Sequence, residues 1–222
     1  MNVYRLTFQT IRMARRTKEE AQATRQQLLE AAIRVFAEKG VSRTSLQDIA
    51  QRAGVSRGAV YWHFTNKADL FDAMMESAVL PMEQALQQIG HVAGQDPLVE
   101  LESAMLQSMR SIASDARIRA IFEIATLKVE YVDELLTVKA RYAASCADAT
   151  REIKRSLQDA ATHHGVPLRV PVAVAAQGLQ AMMTGLVHTW ILAPDSYALV
   201  EVSQAAIHSY LLGLGFVRPD SI

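Results

Sequence analysis

The chain of 222 residues predicts an all-α protein of about nine helices. Three observations carry that reading. Apolar residues recur at three- and four-residue spacing along most of the chain, the period of a helix with one buried face. Ten glycines and six prolines fall mostly between those periodic runs. β-Branched and aromatic residues rarely alternate with polar ones, so strand signals are weak.

The first strong helix is predicted over residues 21–39, where Leu29, Ala32, Ile33 and Phe36 form one apolar stripe and Gly40 follows as a C-cap. A short helix over 46–53 starts behind Ser45, with Asp48 three residues on in a capping-box pattern. Gly54 ends it in the left-handed conformation glycine allows. Ser56 caps a third helix over 57–64. Asn66 caps a longer fourth from about residue 67, which Pro81 should kink or interrupt. After Asp96-Pro97 the periodicity predicts helices over 98–113, 117–131 and 134–164. Gly165-Val166-Pro167 breaks the chain. Helices over 172–192 and 197–214 follow, separated by Ala193-Pro194-Asp195-Ser196.

Composition narrows the function classes. Half the residues are apolar and about a fifth are charged, enough to bury a sizeable core. A single cysteine, Cys146, excludes an intrachain disulfide framework and a multi-cysteine zinc site. No run approaches the roughly 18 apolar residues of a membrane helix. Residues 1–12 lack the apolar core of a signal peptide, so a cytoplasmic protein without a membrane partner is expected. The net charge of zero hides a division. Residues 1–67 hold 12 Lys and Arg against 5 Asp and Glu, while residues 68–222 hold 11 against 18. A basic N-terminal third on an acidic body suggests that one end meets a polyanion. The expected organisation is a flexible basic arm over 1–20, a basic module over 21–67 and a helical bundle over 68–222. Met13 is a second candidate start; the other reading is an arm carrying Arg5 and Arg12.

Residues 45–64 read as helix, glycine turn, helix, the layout of a helix-turn-helix. Leu46, Ile49, Ala50 and Val55 should pack inward. Val60 and Phe64, four apart, must share the core face of the second helix. Arg57, Gly58, Ala59, Tyr61, Trp62 and His63 then lie on or beside an outward face that holds no acid. Two small residues let such a face sink into a major groove about 12 Å wide. Gly58 in a helix costs roughly 1 kcal/mol against Ala, which close approach to another backbone would explain. Arg57 can donate to guanine O6 and N7. Tyr61 can hydrogen-bond a phosphate or pack on a thymine methyl, and Trp62 and His63 suit phosphate contacts, as does Lys67 at the next helix start. Thr44, Ser45 and Ser56 stand at helix N-termini, where hydroxyls and free N–H groups suit a phosphate. Four of these residues also have a plainer reading: core aromatics for Tyr61 and Trp62, a structural His63, a solvated helix-end Lys67.

Residues 21–77 resemble the N-terminal domain of TetR-family transcriptional regulators. The resemblance rests on Phe36, Gly40, Thr44, Ile49, Ala50, Ala53-Gly54-Val55, Tyr61, His63-Phe64 and Lys67 in fixed order. Met13-Ala-Arg-Arg-Thr-Lys-Glu-Glu-Ala and the late Gly185-Leu…Trp190…Ala193-Pro194-Asp195-Ser196 are similar to the branch that represses multidrug efflux pumps in Gram-negative bacteria. The resemblance implies a homodimer on palindromic operator DNA, and two-fold symmetry would double the readout of one short helix. It also implies a dimer interface on the last two helices, here with Gly178, Ala181, Gly185, Ala205, Ala206 and Leu212. An intramolecular contact explains the same small residues.

The middle helices are expected to hold an inducer pocket. Leu101, Met105 and Ser108 define one face, Phe122 and Thr126 a second, Ala149 and Ile153 a third, with Met183 and Thr184 on the helix after Pro171. Apolar groups mixed with hydroxyls suit a lipophilic, drug-sized ligand. These positions also match where efflux-repressor relatives line their cavities. The rival is plain core. The implied function is a repressor released from DNA by a lipophilic antimicrobial-type inducer. The alternative is a regulator of lipid or aromatic catabolism answering to a metabolite. No enzyme motif is present: no His-Glu-x-x-His, no P-loop, no Gly-x-Gly-x-x-Gly after a strand. No cofactor or metal is expected. His163-His164 read as cations at a helix C-terminus, and Cys146 as a small packed residue.

Overall fold

The computed structural model describes residues 3–91, 94–129 and 136–216. The described residues hold nine helices and no strand: α1 (Val3–Lys39), α2 (Leu46–Ala53), α3 (Arg57–His63), α4 (Lys67–Gln87), α5 (Pro97–Ser114), α6 (Ala116–Leu127), α7 (Leu136–His164), α8 (Val172–Leu192) and α9 (Leu199–Leu214).

The local signals act as their chemistry demands. Ser45 and Asp48 form a reciprocal capping box, and Gly54 closes α2 at φ 68°. Ser56 accepts from the Ala59 N–H, Asn66 from the Asp69 N–H and Asp96 from the Leu98 N–H, so α3, α4 and α5 each begin on a capped turn.

Several helix ends differ from expectation. α1 begins at Val3, not near residue 21. No glycine or proline lies between Val3 and Lys39, so the helix propagates back through the segment expected as a flexible arm. α4 passes through Pro81 without interruption. Its C-terminal end is gathered by Arg155 of α7, whose Nη2 donates to the carbonyls of Leu86, Gln87 and Ile89. α3 stops at His63, because Phe64 turns extended to bury its ring. α6 ends at Leu127, short of the expected 131. Lys128 leaves helical geometry and its carbonyl accepts from the Val41 N–H at 3.0 Å. The expected α6 end at 131 and α7 start at 134 lie outside the described residues. α9 starts at Leu199; the Tyr197 hydroxyl instead meets the Thr189 hydroxyl at 2.8 Å and the Leu186 carbonyl.

The helices enclose two apolar clusters. One joins α1, α2 and α3 to the first half of α4, to α6 and, through Val138, to the start of α7, with Phe36 and Phe71 in tilted ring contact at 6.0 Å. The other fills the bundle of α5, α7, α8 and α9. Ile118 and Phe122 of α6 pack against both. Two polar contacts bind the pieces further. Lys67 is 7 % exposed, and its Nζ donates to the Ser42 carbonyl at 3.1 Å, tying the start of α4 to the turn before α2. Tyr210 of α9 donates to the Ala175 carbonyl of α8 at 2.9 Å. Gly178 lies directly beneath that tyrosine: a Cβ there would sit 2.3 Å from its oxygen. Gly178, expected in a dimer interface, therefore faces α9 of its own chain.

Two predictions follow from these contacts. Gly178→Ala should destabilise the protein by about 1–3 kcal/mol through overpacking, and Gly178→Ala/Tyr210→Phe should recover part of that loss in urea unfolding. Lys67→Met should lower stability by roughly 1–2 kcal/mol, since it leaves a partly buried carbonyl without its charged donor. An unfolding midpoint equal to that of the unsubstituted protein would contradict the tie.

Candidate DNA-reading face and ligand cavity

Val60 and Phe64 are buried, which rolls the opposite side of α3 into solvent. Trp62 is 73 % exposed and Tyr61 48 %, so neither is a core aromatic. Arg57 stacks over the Tyr61 ring at 5.4 Å, which holds its guanidinium on the outer face. His63 is half-buried with its ring edge-on to Trp62 at 4.5 Å. Burial, helped by the Arg25 charge, lowers the His63 pKa below the usual histidine value and favours the neutral ring. A Cβ on Gly58 would meet only the Ser56 hydroxyl at 3.8 Å, so this chain leaves the space above it open. Ala59 is half-buried at the edge of the same face. The face carries arginine, aromatic and small groups and no carboxylate.

The α2 terminus contributes differently. The Lys39 ammonium, 2.6 Å from Asp48, and the Ser45 hydroxyl hold the Asp48 carboxyl far below the usual carboxylate range. Ser45 is exposed at the cap. Thr44 is only 2 % exposed and donates to the Gly40 carbonyl at 2.7 Å. The structure thus places Thr44 and Lys67, both read from the sequence as phosphate contacts, inside the α1–α2 turn as braces. Their residue types alone do not disclose this, because the burial depends on how the start of α4 meets that turn.

Between the bundle helices lies a cavity of about 200 Å³. Its wall includes Met105 and Ser108 of α5, Phe122 and Thr126 of α6, Ala149 and Ile153 of α7, and Met183 and Thr184 of α8. Leu101 is the exception. It is fully buried in the bundle core and is not part of the wall. The wall also holds Val79 and Glu83 of α4, Tyr142, Ser145 and Cys146 of α7, and His188 of α8, which the sequence pattern did not single out. These residues reach the wall through the packing of α4, α7 and α8 around the cavity, which helical spacing alone does not disclose. Cys146 thus lies half-buried on the cavity wall, where a packed residue was expected.

A second chamber of about 470 Å³ adjoins the first and shares Val79, Glu83, Phe122, Thr126, Tyr142, Ser145 and His188 with it. It is more polar. Asp72 of α4 and Arg141 of α7 pair across it at 2.9 Å. Burial raises the Asp72 pKa and the charges of Asp69 and Glu76 add to the effect, against the pull of Arg141. Glu83 accepts a hydrogen bond from the Ser145 hydroxyl at the junction of the two chambers. The arrangement offers an apolar chamber with one polar end.

Of the remaining small residues on α8 and α9, Ala181, Gly185, Ala205 and Leu212 are exposed and Ala206 is half-buried. Val174, Leu192 and Val202 are exposed on the same two helices. No helix among the described residues is long and apolar enough to cross a membrane.

Residues 28–74 match the bacterial regulatory proteins of the tetR family, and residues 96–216 match the C-terminal region of MAATS-type transcriptional repressors. The chain is 39 % identical over 188 residues to the probable HTH-type transcriptional regulator ArpR of Pseudomonas putida, covering 85 % of this chain and 90 % of that one. It is similar in structure to NalD, the secondary repressor of the MexAB-OprM multidrug efflux pump in Pseudomonas aeruginosa. There the TM-score is 0.79 at 32 % identity, covering 90 % of this chain and 99 % of NalD. SmeT, the repressor of the Stenotrophomonas maltophilia multidrug efflux pump SmeDEF, aligns in its triclosan complex with a TM-score of 0.78 at 32 % identity, covering 90 % and 94 %. With a capped helix-turn-helix at its N-terminal end and a repressor-type bundle behind it, the chain belongs to the TetR family of transcriptional regulators.

Proposed function

We propose that this chain is a cytoplasmic repressor of a multidrug efflux operon, released from its operator by a lipophilic antimicrobial-type ligand. The observation that carries this reading is the shared scaffold: α4 and α6 line the cavity and also pack against the DNA-reading module. The efflux assignment draws on the relatives, since NalD and SmeT are each described as repressors of a multidrug efflux pump. Two copies pair through the exposed small and apolar face of α8 and α9, and each presents α3 to one half of a palindromic duplex. Arg57, Tyr61, Trp62 and Gly58 meet the major groove and its flanking phosphates, with the Ser45 and Ser56 termini beside them.

A ligand that fills the cavity favours a different placement of α4 and α6. The two recognition helices then no longer match the half-site spacing. By linkage, operator DNA must weaken ligand affinity by the factor with which ligand weakens operator affinity. The apolar inner chamber and the Glu83–Ser145 end suit an amphiphile with a hydrophobic body.

Fluorescence anisotropy against DNA from directly upstream of the gene, with competitor DNA and a salt series, tests the reading. Tight, competitor-resistant binding with a steep salt slope is expected. Arg57→Ala should weaken specific binding by about 1–3 kcal/mol while leaving nonspecific binding nearer its starting value. Triclosan, the ligand seen in the SmeT complex, serves as the first probe of release. Ala149→Phe fills the cavity and should weaken release by about tenfold or more, ~1.4 kcal/mol. Equal triclosan affinity with and without operator DNA would rule out the linked mechanism.

A further inference from the structure

We propose that Asp96, His163 and His164 form a binding site for a divalent transition-metal ion of the zinc type, at the end of the bundle away from α3. The three residues come from two elements: Asp96 is the N-cap of α5, and the histidines close α7. One ligand atom from each lies within 4.8 Å of the other two. His164 Nε2 stands 2.9 Å from Asp96 Oδ2 and 3.0 Å from Oδ1.

Neighbours on a helix diverge by about 100°. At this last turn the His163 and His164 rings nevertheless meet edge to face, with centroids 5.1 Å apart. Zinc–nitrogen bonds of about 2.0–2.1 Å in a tetrahedral site need donor atoms roughly 3.3 Å apart. The His164–Asp96 pair is slightly inside that spacing. His163 is exposed, so its ring can turn to close the remaining gap.

The surroundings fix two of the three ligands. The Asp96 carboxylate is held by the Leu98 N–H at 2.9 Å. The buried Phe216 ring stands edge-on to His164 at 6.1 Å and orients it. A simple ion pair with Asp96 uses one imidazole. The second imidazole also lies beside the same carboxylate, and no hydrogen bond holds the His163 ring among the described residues, which leaves its nitrogens free to ligate. Two imidazoles and one carboxylate, with a position left for water, suit Zn²⁺, Co²⁺ or Ni²⁺ over the harder Mg²⁺ and Ca²⁺. None of the three residues lines the cavity. The ion would pin the α7 C-terminus to the α5 N-terminus.

The test uses the full chain, stripped with a chelator and titrated with ZnCl₂ by calorimetry, with thermal unfolding followed in parallel. One Zn²⁺ per chain is expected, with a melting temperature raised by a few degrees at saturation, about 100 times the dissociation constant. His164→Gln and His163→Gln should each weaken Zn²⁺ binding by about tenfold or more, and Cys146→Ser should not change it. Because His163 is exposed, His163→Gln decides the matter even if His164→Gln fails to fold. Absence of heat and of any melting shift at about 1 mM Zn²⁺ would overturn the site. So would binding that survives in both histidine variants, which would point to scattered surface histidines, or binding lost in Cys146→Ser.

Discussion

The guanidinium of Arg117, at the first turn of α6, lies between Glu30 of α1, 2.5 Å from its Nε, and the Ser77 hydroxyl of α4, 3.1 Å from its Nη2. At the other end of α6 the Lys128 carbonyl accepts from the Val41 N–H, beside Gly40, whose φ of 81° lets the chain turn there. A helix on the cavity wall is thus attached at both ends to the module that carries α3. Single contacts of this kind are worth on the order of 1 kcal/mol each. Their importance lies in placement. With both ends held, α6 cannot move without moving α1 or straining the turn before α2. Arg119 extends the same helix to the far side, with its guanidinium over the Trp190 ring at 5.0 Å.

The DNA-reading module is built to keep α3 outward under that attachment. α3 spans only Arg57–His63, too short to be stable by propensity. It stands because Ser56 caps it, because Val60 and Phe64 anchor its inner side, and because Arg25 of α1 lies over the Phe64 ring at 5.2 Å. Gln27 of α1 donates to the Ala53 carbonyl at 2.6 Å and holds the end of α2 in place. An exposed tryptophan on a helix so firmly anchored makes little sense as packing. It makes sense as a surface that a partner covers.

Local chemistry made much of this legible in the sequence. Ser45 with Asp48, Gly54, Ser56, Asn66 and Asp96-Pro97 mark helix boundaries because capping is decided within a few residues. Helical spacing likewise put Met105, Ser108, Phe122, Thr126, Ala149, Ile153, Met183 and Thr184 on faces that line the cavity. What escaped depends on long-range pairing. Gly178 opposes Tyr210 across two helices, Lys67 finds a carbonyl 25 positions earlier, and Ser145 meets Glu83 across 62. Neither periodicity nor propensity carries such information. Leu101 shares a stripe with Met105, yet one turn separates core from cavity wall.

The cavity itself explains why α4 and α6 can respond to a ligand. An apolar void costs about 24 cal/mol per Å³, so the inner chamber of about 200 Å³ would lower stability by roughly 5 kcal/mol if dry. It opens to the second chamber, and Glu83, Ser145, Tyr142 and His188 stand where the two meet, so water can relieve part of that cost. A group that fills the void would supply the contacts its walls lack. α8 also borders it but lies in the bundle cluster. α4, α6 and, through Val138, the start of α7 are lining helices that also enter the apolar cluster of the DNA-reading module. The cavity walls and the DNA-reading module therefore share contacts at two places, Lys67–Ser42 at the start of α4 and the clasped ends of α6.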